Sequence, residues 1–323
     1  MISVIVVTYN QEKTISRTLD SILSQKCHQQ IEIVIGEDCS TDATPAICRD
    51  YANRYPQIRL FCNTYNKGVL NNYFDCLLAC QGEYIADCAG DDFWVDDQKL
   101  EKSVTLMESN PEITIVHTAW QSYNELTGMA TDSPCQPFPA PLTDGKDMLS
   151  AIITQTRMPV IHLCTALYRA DILLKAYHEN TDLFRNQDLA CEDIQVAFFL
   201  AMNGKVAYLP DVTLYYNQGD ETVSFSSDDR KQFRFVQRAT NLSHTLSRIY
   251  HIENQEVKLF FRQRSFALLM HAFRAYDKQL RQEAISSLKK WGITPSPVFR
   301  VVRLVTSTPL LWRAALYLRK KLR

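Results

Sequence analysis

The opening stretch of the chain alternates short apolar runs with segments of helical periodicity. Few architectures accept that order. Ile2 to Thr8 is a short β-branched apolar run, the pattern of a strand buried on both faces. A helix is predicted from about Gln11 to Gln25, with Ile15, Leu19, Ile22 and Leu23 at helical spacing. Strand Ile31 to Gly36 and helix Pro45 to Tyr55 follow, then strand Ile58 to Cys62 and helix Leu70 to Cys80, and a fourth strand from Glu83 to Cys88. Strands separated by helices of this length imply a mostly parallel sheet with right-handed crossovers. In such sheets ligands bind beyond the carboxyl ends of the strands. Thr8-Tyr9-Asn10, Glu37-Asp38 and Asp91-Asp92 all fall there.

The rest of the chain is less regular. Strands are expected at Ile113 to Ala119, His162 to Tyr168 and Val206 to Tyr216, a helix at Cys191 to Asn203, and a surface loop at Pro134 to Pro141. From about Asp228 the pattern is helical, broken at Trp291 to Pro297 and at Pro309, which places a domain boundary near residue 225. The 323 residues suffice for one large α/β domain with an appendage, and 46% hydrophobic content fills a core. Ten scattered cysteines without a CxxC pair, and no leader before the strand at Ile2, fit a reduced cytoplasmic setting better than a disulfide framework or a zinc site.

Charge is unevenly placed. Residues 284–323 carry nine Lys or Arg and no Asp or Glu, whereas residues 1–283 carry 26 basic against 36 acidic residues, a net of −10. An acidic body argues against nucleic-acid binding by the body, and a basic tail suits an anionic surface. From Pro309 the tail sets Leu311, Ala315, Leu318 and Leu322 on one arc, with Arg313, Lys320 and Arg323 largely opposite. Two readings stand level: a helix packed on the protein with a solvated basic face, or peripheral contact with the inner face of the plasma membrane. No apolar run approaches the roughly 20 residues of a membrane span.

The chemistry concentrates at the strand ends. Asp91 and Asp92 repel one another unless a cation sits with them, and a divalent cation with oxygen ligands, bridging to a phosphate, is the simplest occupant. The loop Gly36 to Thr44 offers Asp38 to a base N–H, while Thr44 before Pro45 reads as a helix cap. Glu192 and Asp193 open a helix with an apolar stripe at Ile194, Ala197, Phe198, Ala201 and Met202, where the helix dipole favours negative charge. No Ser-His-Asp or Cys-His arrangement is recognisable, so a covalent nucleophile is not expected.

Taken together, SVIVVTYNQEKTISRTLDSILSQ, EIVIGEDCSTDAT, NKGVLNNYFDCLLACQGEYI and AGDDFWVDDQKLEKSV resemble family 2 glycosyltransferases, inverting enzymes of the GT-A fold that build bacterial surface polysaccharides. The blocks match in order across residues 1–110, the nucleotide-binding half, and later pieces match through the acceptor half, 111–225, leaving 226–323 as a helical C-terminal region. The resemblance implies a nucleotide-diphosphate-sugar donor, with UDP expected, and a Mg²⁺ or Mn²⁺ ion. It implies donor contacts at Thr8, Tyr9, Glu12, Asp38, Asp91 and Asp92, the metal on Asp91, the catalytic base at Asp193, and acceptor-side positions at Thr165 and Glu192, with Arg169 recurrent in the same segment. The implied acceptor is a hydroxyl of a glycan or of a lipid-linked sugar.

The chain departs from the family pattern at Ala89, where an acidic residue is common, and at Glu37, where Asp is usual. The segment Leu214 to Ser224 also lacks the Arg and His that relatives carry near the leaving diphosphate. Two other classes fit parts of the pattern. A nucleotidyltransferase would show a glycine-rich loop near the first strand, and Thr8 to Lys13 has no glycine. A non-catalytic nucleotide-sugar-binding protein would bind UDP without turnover.

Overall fold

The computed structural model describes residues 1–132, 141–155, 161–217 and 226–321. The expected loop at Pro134 to Pro141 lies almost wholly outside them, as does most of the segment after Asn217. The chain divides into two compact units, one of Met1–Gln187 with Cys191–Gly219, the other of Asp188–Ala190 with Asp220–Arg323.

The first unit begins with β1 (Ile2–Thr8), α1 (Ile15–Leu23), β2 (Ile31–Glu37), α2 (Thr44–Arg54), β3 (Ile58–Cys62), α3 (Val69–Ala79) and β4 (Tyr84–Asp87). β1 lies between β2 and β4 and parallel to both, and β3 extends the parallel array beyond β2. Every residue of β1 but Val7 is buried, as a strand covered on both faces requires. Val4 and Val6 join Ile15, Leu19 and Ile22 of α1 in one core, where each fully buried aliphatic side chain contributes about 1.5–3 kcal/mol. α1 starts at Ile15 rather than Gln11. Asn10 has a φ of 54°, and the backbone N–H groups of Thr14 and Ile15 both donate to Gln11 O, so a turn precedes the helix.

The unit continues with β5 (Phe93–Trp94), α4 (Lys99–Ser109), β6 (Ile113–Asn124), β7 (Met129–Asp132), β8 (Leu142–Asp144) and α5 (Gly145–Thr154). A single 3₁₀ turn at Leu163–Thr165 leads to β9 (Leu167–Arg169), α6 (Ala170–Glu179), α7 (Thr181–Phe184), α8 (Glu192–Met202) and β10 (Lys205–Asn217). The strand order is β3-β2-β1-β4-β9-β6-β10-β5, with β7 on β6 and β8 on β10. β9 runs antiparallel to both β4 and β6, while β10 is parallel to β6, so β1, β2, β3, β4, β6 and β10 share one direction. The strand expected at His162 to Tyr168 is corrected: its first half is the 3₁₀ turn, closed by the N–H groups of Thr165 and Ala166 on the carbonyls of His162 and Leu163.

The second unit is helical: α9 (Asp229–Ile249), α10 (Gln255–Ala275), α11 (Lys278–Lys290), α12 (Pro297–Val305) and α13 (Pro309–Lys321). Asp228, Asn254, Asp277 and Ser296 cap the first four through side-chain oxygens. Trp312 is fully buried, its indole N–H donating to Phe273 O at 2.9 Å, and it fixes α13 to α10. Trp312 faces inward, and Leu310, Leu311, Tyr317 and Leu318 are exposed. Among the described residues no helix is long and apolar enough to cross a membrane.

α8, which carries Glu192 and Asp193, is held by close backbone contact. A Cβ built on Gly145 at the start of α5 would lie 2.0 Å from Ala201 O. Gly145→Ala must push the two helices apart, and overpacking of this kind costs about 1–3 kcal/mol. The urea midpoint should fall with an unchanged slope; an unaltered midpoint would show that α8 is not fixed by this contact.

Candidate active site

The loops after β1 and β2 are tied together by side-chain to backbone hydrogen bonds. Asn10 N donates to Ser40 Oγ at 2.9 Å, and Thr41 N donates to Asn10 Oδ1 at 2.8 Å. Glu12 accepts from Ala43 N at 2.9 Å, while its own N–H donates to Asp42 at 3.1 Å. Thr44 does not cap α2. Its hydroxyl accepts from Gln11 N at 2.8 Å, and Asp42 takes the Thr44 N–H at 3.0 Å instead. Asp38 is buried and accepts from Lys67 N, Gly68 N and Asn63 Nδ2, each at 2.9 Å. With about four lone-pair sites on a carboxylate, these donors leave Asp38 one further acceptor site. Tyr9, by contrast, exposes its ring.

β4 ends in a tight turn. Gly90 N donates to Val7 O at 3.1 Å and Asp92 N to Ala89 O at 3.0 Å. A Cβ on Gly90 would lie 2.4 Å from Gln11 Oε1 and 2.8 Å from Thr8 Oγ1, so only glycine lets this turn seat on the end of β1. Asp91 is half-buried and Asp92 is fully buried. Asp92 Oδ1 accepts from the backbone N–H of Asn217 at 3.0 Å, which joins the turn to the end of β10. Burial drives the pKa of both carboxyls up; at Asp92 the neighbouring Asp91 charge adds to it, and Asp193 adds further. The Gln11 side chain works against the rise at Asp91.

α8 opens after Cys191, whose φ of 75° turns the chain so that Glu192 and Asp193 occupy the first helical turn. Both are half-buried. Burial raises both pKa values, and at Glu192 the Asp193 charge adds to it. Asp87, at the end of β4, is buried, and neither of its carboxylate oxygens has a hydrogen-bond partner of ordinary geometry among the described residues. The hydroxyls of Tyr73 and Tyr168, 2.7 Å apart, lie close enough to oppose the rise in its pKa. Burial nevertheless prevails, with Asp193 adding to it, and Asp87 is pushed up to about 7. The buried cation nearby is Lys99, its ammonium 4.1 Å from the centre of the Trp94 ring and 3.4 Å from Ala166 O. Burial lowers its pKa to about 8, against the pull of Cys88, Cys164 and Asp87.

The fold thus puts Asp92 within electrostatic reach of both Asp91 and Asp193. Thr8 lies against Gly90 beside them, its hydroxyl buried without a partner among the described residues. Among the described residues no Lys or Arg forms an ion pair with Asp91 or Asp92, so the two adjacent carboxyls have no protein cation bound to them. That donor set fits Mg²⁺ or Mn²⁺, although Ala89 adds no oxygen. Two acceptor-side expectations are corrected. Thr165 is fully buried, and its hydroxyl donates to His162 O at 2.7 Å, closing the 3₁₀ turn. Arg169 donates to the backbone carbonyls of Ile113 and Met107, both at 2.9 Å, and supports the core. Asp87, Lys99, Gln11 and Gly90 were missed as site residues. A carboxylate ending the apolar run Tyr84-Ile85-Ala86 was the available signal for the first.

Glycosyl transferase family 2 is the family whose model matches, over residues 3–175 and so more than half of the chain. The chain belongs to this family. The uncharacterized protein Rv1520 of Mycobacterium tuberculosis is 32% identical over 239 residues, covering 72% of this chain and 63% of that protein. The family 2 chain thus spans less than two thirds of this relative's length. WfaP of Escherichia coli, a UDP-Glc:α-D-GlcNAc-diphosphoundecaprenol β-1,3-glucosyltransferase, is 36% identical over 111 residues, 34% of this chain and 42% of that enzyme. Among solved structures, S. aureus TarS 1–349 in complex with UDP-GlcNAc superposes with a TM-score of 0.55 at 18% identity, over 90% of this chain and 92% of that one. At that identity the likeness establishes the fold, GT-A, as the sequence led us to expect.

Asp87 gives this family 2 chain a testable pH dependence. An unfolded Asp ionises near pH 3.9, whereas folded Asp87 holds its proton to about 7. The native state therefore binds more protons across that window, and stability falls as pH rises through it. Asp87→Asn removes the penalty. Relative to wild type it should gain between about 1 and 4 kcal/mol at pH 8 and nothing near pH 4. Urea melts at the two pH values check this; a gap independent of pH would mean that Asp87 does not carry its proton into the neutral range.

Proposed function

We propose that this chain is an inverting glycosyltransferase that moves a sugar from a UDP-sugar to a hydroxyl of a glycan or lipid-linked acceptor during surface polysaccharide synthesis. The observation that carries the reading is that Asp92, in the turn after the parallel strand β4, lies within electrostatic reach of Asp193 on the first turn of α8. Residues 1–110 hold the nucleotide, residues 111–225 meet the acceptor, and Tyr9, Glu12 and the remaining acceptor site of Asp38 serve the uridine. Asp91, with Asp92 behind it, would hold Mg²⁺ or Mn²⁺, which when bound offsets the diphosphate's negative charge.

Asp193 takes the proton from the acceptor hydroxyl as its oxygen attacks the anomeric carbon on the face opposite the diphosphate. The new C–O bond forms as the bond to the β-phosphate oxygen breaks, UDP leaves, and configuration inverts. A base held in a dry, acidic surround has a raised pKa and is the better proton acceptor near neutral pH. Lys99 limits the repulsion among the acids without contacting substrate.

A panel of nucleotide sugars, with and without Mn²⁺, scored by thermal shift and UDP release, tests the donor. Stabilisation by GDP- or CMP-sugars alone overturns UDP. Asp193→Asn should lower kcat roughly 10²–10⁴-fold with donor binding intact, and full turnover by this variant removes the base. In wild type, kcat/KM should fall with acid at a midpoint of about 6, clear of the usual carboxylate range near 4.

The acceptor reading is supported by the second unit. Val298, Val301 and Leu304 on α12 are 59, 60 and 69% exposed, and Leu310 on α13 is 77% exposed. Arg300, Arg303 and Arg313 lie among them, with no acidic residue after Glu283. Apolar side chains framed by cations suit the interface of an anionic leaflet, where lipid-linked acceptors reside. Binding to phosphatidylglycerol vesicles should exceed binding to phosphatidylcholine by tenfold or more and weaken with salt. The double variant Val301→Glu with Leu304→Glu should abolish it; equal binding by both proteins overturns the membrane contact.

A further inference from the structure

We propose that Trp120, His162 and Tyr216 form a stacking subsite for a pyranose ring of the acceptor, a reading that rests on the glycosyltransferase function above and extends it. The three rings come from β6, from the residue before the 3₁₀ turn, and from β10. Their centroids are 5.4 Å apart for Trp120 and His162, 5.6 Å for Trp120 and Tyr216, and 4.9 Å for His162 and Tyr216. All three residues are half-buried, so part of each remains open to solvent.

Two nitrogens in this cluster, Trp120 Nε1 and His162 Nδ1, are buried and meet no hydrogen-bond partner among the described residues. Buried polar atoms nearly always find one. Trp94 in the same unit does, donating to Cys164 O at 2.9 Å. The aromatic cluster of Phe74, Phe184 and Phe199 shows what a purely structural packing looks like in this unit: its members are sealed from solvent and carry no polar ring atom. The Trp120 cluster differs on both counts.

The cluster is linked to the acids through its neighbours in the chain. Tyr216 precedes Asn217, whose N–H holds Asp92 and whose own Oδ1 is buried without a partner among the described residues. His162 lies two residues before Cys164, whose sulfur accepts from Ala89 N at 3.4 Å and which feels the charges of both Asp92 and Asp193. A pyranose ring has apolar C–H faces and a rim of hydroxyls. Aromatic faces receive the first; an indole N–H and a neutral imidazole nitrogen receive the second, the imidazole donating or accepting according to its tautomer. Burial keeps His162 neutral at physiological pH. All three residues lie between 111 and 225, the part assigned above to the acceptor, which selects the acceptor's sugar over the donor's.

The test uses methyl glycosides of glucose, galactose and N-acetylglucosamine, with the full chain held in UDP and binding followed by saturation-transfer NMR. Wild type should transfer magnetisation to the ring C–H protons of at least one glycoside. Trp120→Phe, which keeps a ring but loses the N–H, and His162→Leu should each weaken its apparent Kd fivefold or more, with the thermal shift produced by UDP-sugars unchanged. Equal affinities in wild type and both variants would overturn the subsite, as would absence of transfer from a wild type that UDP-sugars stabilise. If the variants lose UDP-sugar affinity while UDP and glycoside binding persist, the rings serve the donor's sugar and the acceptor assignment falls. A wild type that ignores every UDP-sugar counts against the glycosyltransferase reading instead, and glycoside binding still decides the subsite.

Discussion

Mutual repulsion among Asp87, Asp91, Asp92, Glu192 and Asp193 sets the terms for the structure around them. Burial raises the pKa of every one, and no Lys or Arg among the described residues is bonded to any of them. Such a grouping is unfavourable for folding and persists only because the scaffold leaves it no room to relax. Gly90 seats the turn against Thr8 and Gln11, Asn217 N–H fixes Asp92, and Gly145 brings α8 to backbone contact with α5. Lys99 contributes a single desolvated charge, weakened by its own burial. The remaining negative potential suits a cation and a proton, the two charges that the proposed transfer would use.

The sequence-level reading was strongest where one physical cause dominates. β1 to β4 were legible because strands buried on both faces must be continuous, short and β-branched, and their ends fall within a residue or two of expectation. Helix starts were less legible. Asn10 in a left-handed conformation delays α1, and Asp42 takes the cap expected of Thr44 because its carboxylate reaches the Thr44 N–H while the Thr44 hydroxyl is drawn to Gln11. Leu163 to Tyr168 is apolar enough to read as a strand, and periodicity cannot tell that from a 3₁₀ turn followed by three strand residues.

Within the site, the acids at strand and helix ends were legible from position, whereas the residues that govern them were not. Asp87 sits inside what reads as an apolar run, and its significance lies in what surrounds it: Tyr73 from α3, Tyr168 from β9 and Asp193 from α8. Thr165 and Arg169 looked like acceptor contacts by type, yet both spend their hydrogen bonds on nearby carbonyls. Trp120, His162 and Tyr216 share no local pattern, and only the parallel pairing of β6 with β10, set beside the 3₁₀ turn, brings them together. Residue type proposes a role; the partners already taken decide whether the side chain is free to play it.

The same reasoning separates the two loops that could meet a nucleotide. Asn10, Glu12 and Asp42 each accept a backbone N–H of the facing loop, which ties the two loops into one frame. Asp38 belongs to the frame as well, with three donors in place before any ligand arrives. Tyr9 exposes its ring beside this frame and Thr8 Oγ1 lacks a partner among the described residues, so groups with capacity to spare lie at the end of β1, next to the turn that carries Asp91. A frame that needs no ligand to hold its shape is ordered before binding, and an interaction made to it loses little affinity to the ordering of loops.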